Sequence, residues 1–104
     1  MFARITTFEG PAERIEEGLE IFRANVLPWL KDATGFRGFT LLIDRPNEKA
    51  LTITFWTSRE SAEDATGAGG SAIREEVAAA VGTTMGRTEI YELAAVESLE
   101  LEAR

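Results

Sequence analysis

The 104-residue chain carries 11 Lys and Arg against 18 Asp and Glu, a formal charge of −7, and it has no histidine and no cysteine. The missing histidine removes the commonest general base, metal ligand and near-neutral switch, and the missing cysteine removes disulfides, thiolate chemistry and sulfur-based metal sites. The acidic balance argues against nucleic acid as a partner, because phosphate binding needs clustered Lys and Arg.

A hydrophobic share of 44% is enough for a core. A domain of about 100 residues buries only about 60–70% of its unfolded surface, so association would add stability. No stretch approaches the ~20 apolar residues of a membrane span. Met1 to Ile5 lacks the charged start and apolar centre of a signal peptide, so a cytoplasmic protein with no membrane partner is expected. Most of the excess acid lies after residue 52 and reads as a solvated surface.

In chain order, Phe2 to Phe8 is rich in β-branched and aromatic residues and predicts a strand ending at the Glu9-Gly10-Pro11 turn. Pro11 suits the start of a helix. From Ala12 the apolar residues Ile15, Leu19, Phe22, Val26 and Trp29 recur at spacings of four and three, one face of a helix, with Glu13, Glu16, Glu17 and Glu20 on the polar side. Pro28 predicts a kink or an end near Val26, since proline donates no backbone hydrogen bond. Thr34 to Gly38 reads as a connection, Phe39 to Ile43 as a second strand, Asp44 to Lys49 as a turn and Ala50 to Trp56 as a third strand, forming a hairpin. Thr57-Ser58-Arg59-Glu60 has capping-box spacing, with Thr57 as the cap. Three glycines between Gly67 and Gly70 break the following helix, and Ser71 starts a second piece bearing Ile73, Val77, Ala80 and Val81. Arg87 to Ala95 predicts the last strand.

The order is strand, helix, strand, strand, broken helix, strand. It predicts an α+β, ferredoxin-like βαββαβ domain over residues 1–97, with a four-stranded antiparallel sheet, two helices on one face, and a charged tail over 98–104. Alternation places Leu51, Ile53 and Phe55 on one side of the third strand and Thr52, Thr54 and Trp56 on the other. Arg4, Thr6 and Phe8 oppose Ala3 and Ile5 in the first strand. Neither sheet face is polar, and helices on one side cover only one face. A homodimer packed sheet against sheet is therefore expected.

Gly35-Phe36-Arg37-Gly38, the run Phe55-Trp56-Thr57-Ser58-Arg59-Glu60 and the βαββαβ order together resemble the antibiotic-biosynthesis-monooxygenase-like group of dimeric α+β barrel proteins. The likeness extends to about Glu97. It implies a dimer closed by the two sheets and, in the enzymes of the group, a pocket between sheet and helices into which Trp56 projects. Members that resemble haem-degrading oxygenases combine a first-strand asparagine, the tryptophan and a histidine about ten residues later. Here the corresponding positions hold Thr6 and Thr7 on the strand and Thr66 after Trp56. The other enzymatic branch oxidises polycyclic phenols or anthrones without metal or flavin, which implies no cofactor and no metal here. Its strand asparagine is replaced by Thr52 and Thr54.

On these grounds Trp56 is the candidate catalytic residue: its ring can stack on a flat aromatic ligand and its indole N–H can donate, although the same residue also reads as a core tryptophan at a strand end. Arg4 is a candidate for anion stabilisation, or an edge residue reaching solvent. Thr6, Thr52 and Thr54 are candidate substrate contacts, threonine being equally a good strand former. Asn25 and Tyr91 complete the set, with solvation and a dimer contact as their alternatives. The function expected is cofactor-independent oxygenation of a small aromatic or polycyclic substrate; the alternative is a non-catalytic ligand-binding or stress-response barrel.

Overall fold

The computed structural model describes residues 1–65 and 77–97. The element order is β1 (Phe2–Glu9), α1 (Ala12–Ile21), a π turn (Phe22–Val26), α2 (Leu27–Lys31), β2 (Phe36–Asp44), β3 (Lys49–Trp56), α3 (Arg59–Ala65) and β4 (Thr84–Glu92). Residues 77–80 are also helical. The four strands form one sheet in the order β2-β3-β1-β4, with every neighbouring pair antiparallel. This is the ferredoxin-like arrangement expected from the sequence. The Gly67 to Gly70 break, the Ser71 cap and the 98–104 tail lie outside the described residues.

Register puts chemistry at the sheet centre. Arg4 pairs with Thr54 and Thr6 with Thr52 across β1 and β3, so these four side chains share one face of the two central strands. Phe39 and Leu41 extend that face onto β2, and Thr88 and Ile90 onto β4. The opposite face carries Ile5, Leu51, Ile53 and Phe55, with Leu42 and Tyr91 each 50% exposed.

The helix does not end near Val26. It continues to Lys31 through the π turn, in which the Leu27 N–H reaches the Phe22 carbonyl, five residues back. Pro28 has no N–H to give, and the widened turn accommodates that missing donor without stopping the helix. The extra residue rotates everything beyond it by about 100°. The buried stripe therefore runs on to Leu30, fully buried, while Trp29 swings out to 37% exposure, against the expectation that it would close the stripe.

Strand β2 starts at Phe36, three residues earlier than expected. Gly35 holds a left-handed φ of +84°, and its carbonyl accepts the Thr57 N–H at 2.9 Å, which extends the ladder. An irregularity between Phe36 and Gly38 restores the register. Because Thr57 is still held by the ladder, the helix cap falls to Ser58, whose Oγ accepts the Ser61 N–H at 3.1 Å. The last strand likewise begins three residues earlier than read, at Thr84, and ends at Glu92.

Phe22, Val26, Leu30, Trp56 and Ala62 form the buried cluster between helices and sheet. Each large apolar side chain there contributes about 1.5–3 kcal/mol by leaving water. Phe36 meets Trp56 edge to face at 5.4 Å, and Phe22 stacks on Phe39 at 4.4 Å. The second pair forms the rim where the packed core gives way to open space.

Candidate functional site

A narrow cleft with a cavity volume of about 60 Å³ lies between α1 and the inner sheet face and opens to solvent. Its floor is made by Arg4 and Thr6 of β1 and Thr52 and Thr54 of β3. Apolar walls rise from Phe39 and Leu41 on β2, from Ile15 and Leu19 on α1, from Phe22 at the start of the π turn, from Val77 in the helical residues 77–80, and from Val81 just after them. Gly18 opens the helical wall: a Cβ placed there would meet Val81 at 3.5 Å and Val77 at 3.9 Å across the gap.

The floor is polar and tightly held. Arg4 is 2% exposed, its Nη1 donates to the Ala62 carbonyl at 3.1 Å, and its guanidinium lies 5.4 Å from the Trp56 ring centroid. The Thr6 and Thr88 hydroxyls are hydrogen-bonded at 3.0 Å, with either able to donate, while the Thr52 hydroxyl approaches the Thr6 carbonyl at 3.5 Å. Trp56 donates its indole N–H to Thr54 Oγ1 at 2.8 Å. Arg14 lines the cleft from α1, on a half-exposed side chain paired with Glu17 at 3.3 Å.

The sequence candidates divide into three groups. Arg4, Thr6, Thr52 and Thr54 converge on the cleft. Trp56 is fully buried directly behind Thr54, with its N–H spent on that hydroxyl, and its ring does not line the cleft. Asn25 is exposed on the π turn, and Tyr91 is exposed on the outer sheet face, where its hydroxyl donates to Glu89 at 2.9 Å. The Glu89 carboxylate accepts that proton and repels a phenolate, and it therefore raises the Tyr91 pKa above its usual value. Trp56 also borders a second depression, of about 440 Å³, with Trp29, Thr34, Glu60, Ser61 and Asp64.

Arg14 and Gly18 were not singled out from the sequence, because Arg14 sits among charged neighbours and glycine shows no chemistry. The readable signal was their spacing of one before and three after Ile15 on the buried stripe. Among the described lining residues there is no imidazole, thiolate, thioether or carboxylate, so this donor set does not fit an iron porphyrin or a divalent cation.

Known proteins with this architecture place the site in context. The chain is 31% identical over 60 residues to the uncharacterized protein Rv2557 of Mycobacterium tuberculosis; the match takes in 58% of the chain and only 27% of that relative. The chain thus matches about a quarter of the length of that curated relative. A monooxygenase from the gene ActVA-Orf6 of Streptomyces coelicolor, solved with the ligand nanaomycin D, superposes with a TM-score of 0.68 at 20% identity, over 97% of this chain and 92% of that one. The haem-degrader MhuD of Mycobacterium tuberculosis, with two haems bound in its active site, superposes with a TM-score of 0.67 at 25% identity, over 94% of this chain and 100% of that one. The family model for antibiotic biosynthesis monooxygenase matches residues 1–84, the stretch that contains β1, the long helix, the hairpin and all four floor residues. With fold, strand order and sequence match in agreement, the chain belongs to the antibiotic biosynthesis monooxygenase family.

Proposed function

We propose that the cleft binds a flat, electron-rich phenol or anthrone and promotes its oxygenation by O₂ without metal or flavin. The observation that carries this reading is the cleft itself: apolar walls edged by the Phe22–Phe39 stack, above a floor made by Arg4, Thr6 and Thr54. Apolar walls suit the rings, and a fixed cation with hydroxyl dipoles suits an oxygen that gains negative charge. The Streptomyces neighbour's complex with a small-molecule ligand supports a ligand site in this fold.

The chemistry follows from stabilising the anion. Arg4 and Thr54 favour the ionised substrate, so its proton leaves to water. The anion passes one electron to O₂ and the radical pair closes a carbon–oxygen bond. The peroxide takes a proton from solvent and loses water, leaving a quinone carbonyl. One O₂ is consumed and one water released for each CH₂ converted to C=O. The protein's part is to hold the ring system still and to set its protonation state.

The outer face of the sheet, with Leu42 and Tyr91 half exposed beside Ile5, Ile53 and Phe55, is read as the contact with a second copy, giving a cytoplasmic homodimer. The second reading, a binding module without turnover, is favoured by one observation: Trp56 gives its indole N–H to Thr54 and turns no polar atom to a ligand. Incubation with an anthrone, followed by quinone absorbance and oxygen uptake, tests the first reading. A rate no higher than buffer for the wild type and Trp56→Phe alike overturns it and leaves the binding module.

A further inference from the structure

We infer that Trp56 acts in this cleft through Thr54, as a positioning residue that makes the Thr54 hydroxyl a committed hydrogen-bond donor to an ionised ligand oxygen. The inference rests on the cleft being the ligand site. A threonine hydroxyl has one proton and two lone pairs, and its rotor normally turns to suit either a donor or an acceptor. Here the choice is made. The Trp56 indole can only donate, and it occupies a lone pair of Thr54 Oγ1 at 2.8 Å. The Thr54 proton is thereby directed away from the indole, and Thr54 lines the cleft floor.

The supporting geometry is rigid. Trp56 is fully buried, braced edge to face by Phe36 at 5.4 Å, with the Arg4 guanidinium over its ring at 5.4 Å. Thr54 is 5% exposed and stands opposite Arg4 in the β1–β3 ladder, and both residues line the cleft. With one lone pair taken by the indole and its proton turned away from it, the hydroxyl has less to offer a ligand donor and favours an acceptor, most of all an anionic oxygen. The site would therefore select the phenolate over the phenol. Trp56 sets that preference without touching the ligand.

The test is a double-variant cycle with 2-naphthol as the probe, its affinity measured by equilibrium dialysis and the pKa of the bound probe by absorbance. Wild type is expected to bind 2-naphthol with its pKa lowered below the free value. Thr54→Val and Trp56→Phe should each weaken naphtholate binding about tenfold and raise the bound pKa. The double variant should lose no more than Thr54→Val alone, and Thr54→Ser should retain the lowered pKa. Thr54→Ser and Trp56→Phe keep the hydroxyl and the ring respectively, so thermal unfolding of both separates loss of fold from loss of the donor. Additive losses, or an unchanged bound pKa in Thr54→Val, overturn the inference alone. A folded wild type that binds no 2-naphthol overturns the cleft reading and the inference with it.

Discussion

Thr54 stands opposite Arg4 in the β1–β3 ladder, and one tryptophan touches both: the Trp56 ring lies 5.4 Å below the Arg4 guanidinium, and its N–H is bonded to the Thr54 hydroxyl. The sheet thus presents a cation and an oriented dipole from adjacent strands, with an aromatic core residue fixing both. No titrating base is needed on this floor for an acid whose own proton is weakly held, because lowering the energy of the anion is sufficient to release it to water.

Gly35 is irreplaceable for reasons of both conformation and space. Its φ of +84° disfavours any side chain, and a Cβ would stand 2.6 Å from Ser61 Oγ and 2.7 Å from Thr57 Oγ1. Gly35→Ala is expected to cost about 2–3 kcal/mol in urea unfolding. Gly82 has a similar φ of +75° but open space around it, so Gly82→Ala should cost only about 1 kcal/mol. Equal losses at the two positions would show that the contacts with Ser61 and Thr57 contribute nothing.

Tyr91 is the chain's single tyrosine, so its ionisation is read cleanly by ultraviolet absorbance. The hydrogen bond to Glu89, and then that carboxylate's charge, disfavour phenolate, with Arg87 opposing weakly. The phenol should therefore titrate above 10, and Glu89→Gln should bring it down. An unchanged titration in Glu89→Gln would contradict the Tyr91–Glu89 bond.

Leu42 projects from the outer face at 50% exposure, on the edge strand β2. If a second copy covers that face, Leu42→Glu places a charge in an apolar contact and should shift light-scattering mass from dimer toward monomer. The cleft lies on the other face, so the variant protomer should keep its fold. A wild type that is monomeric at micromolar concentration would contradict the sheet-to-sheet contact.

Much of this was legible from spacing alone. Period-two alternation separated Thr52, Thr54 and Trp56 from Leu51, Ile53 and Phe55, and the register confirmed that Arg4 and Thr6 share the threonine face. What alternation does not carry is the direction of a side chain's polar atom. Trp56 was expected to face a ligand because the family resemblance implies a pocket into which it projects, whereas it is buried with its N–H bonded to Thr54, as its alternative reading as a core tryptophan has it. Trp29 and Leu30 exchanged places for a different reason: a π turn changes the helical phase, and a pattern read at 3.6 residues per turn does not contain that extra residue. Gly18 was passed over because its contribution is the space it leaves between α1 and Val81.

The decisive measurement is oxygen uptake with 1,8-dihydroxyanthrone, comparing wild type with Gly18→Leu, whose added side chain extends from the helical wall toward Val81 and Val77. Folding of the variant is checked by circular dichroism. Chemistry in the cleft predicts a saturable wild-type rate above buffer, one O₂ consumed per quinone formed, and loss of that rate in a folded Gly18→Leu. A wild-type rate equal to buffer, or equal rates in the two proteins, would contradict it.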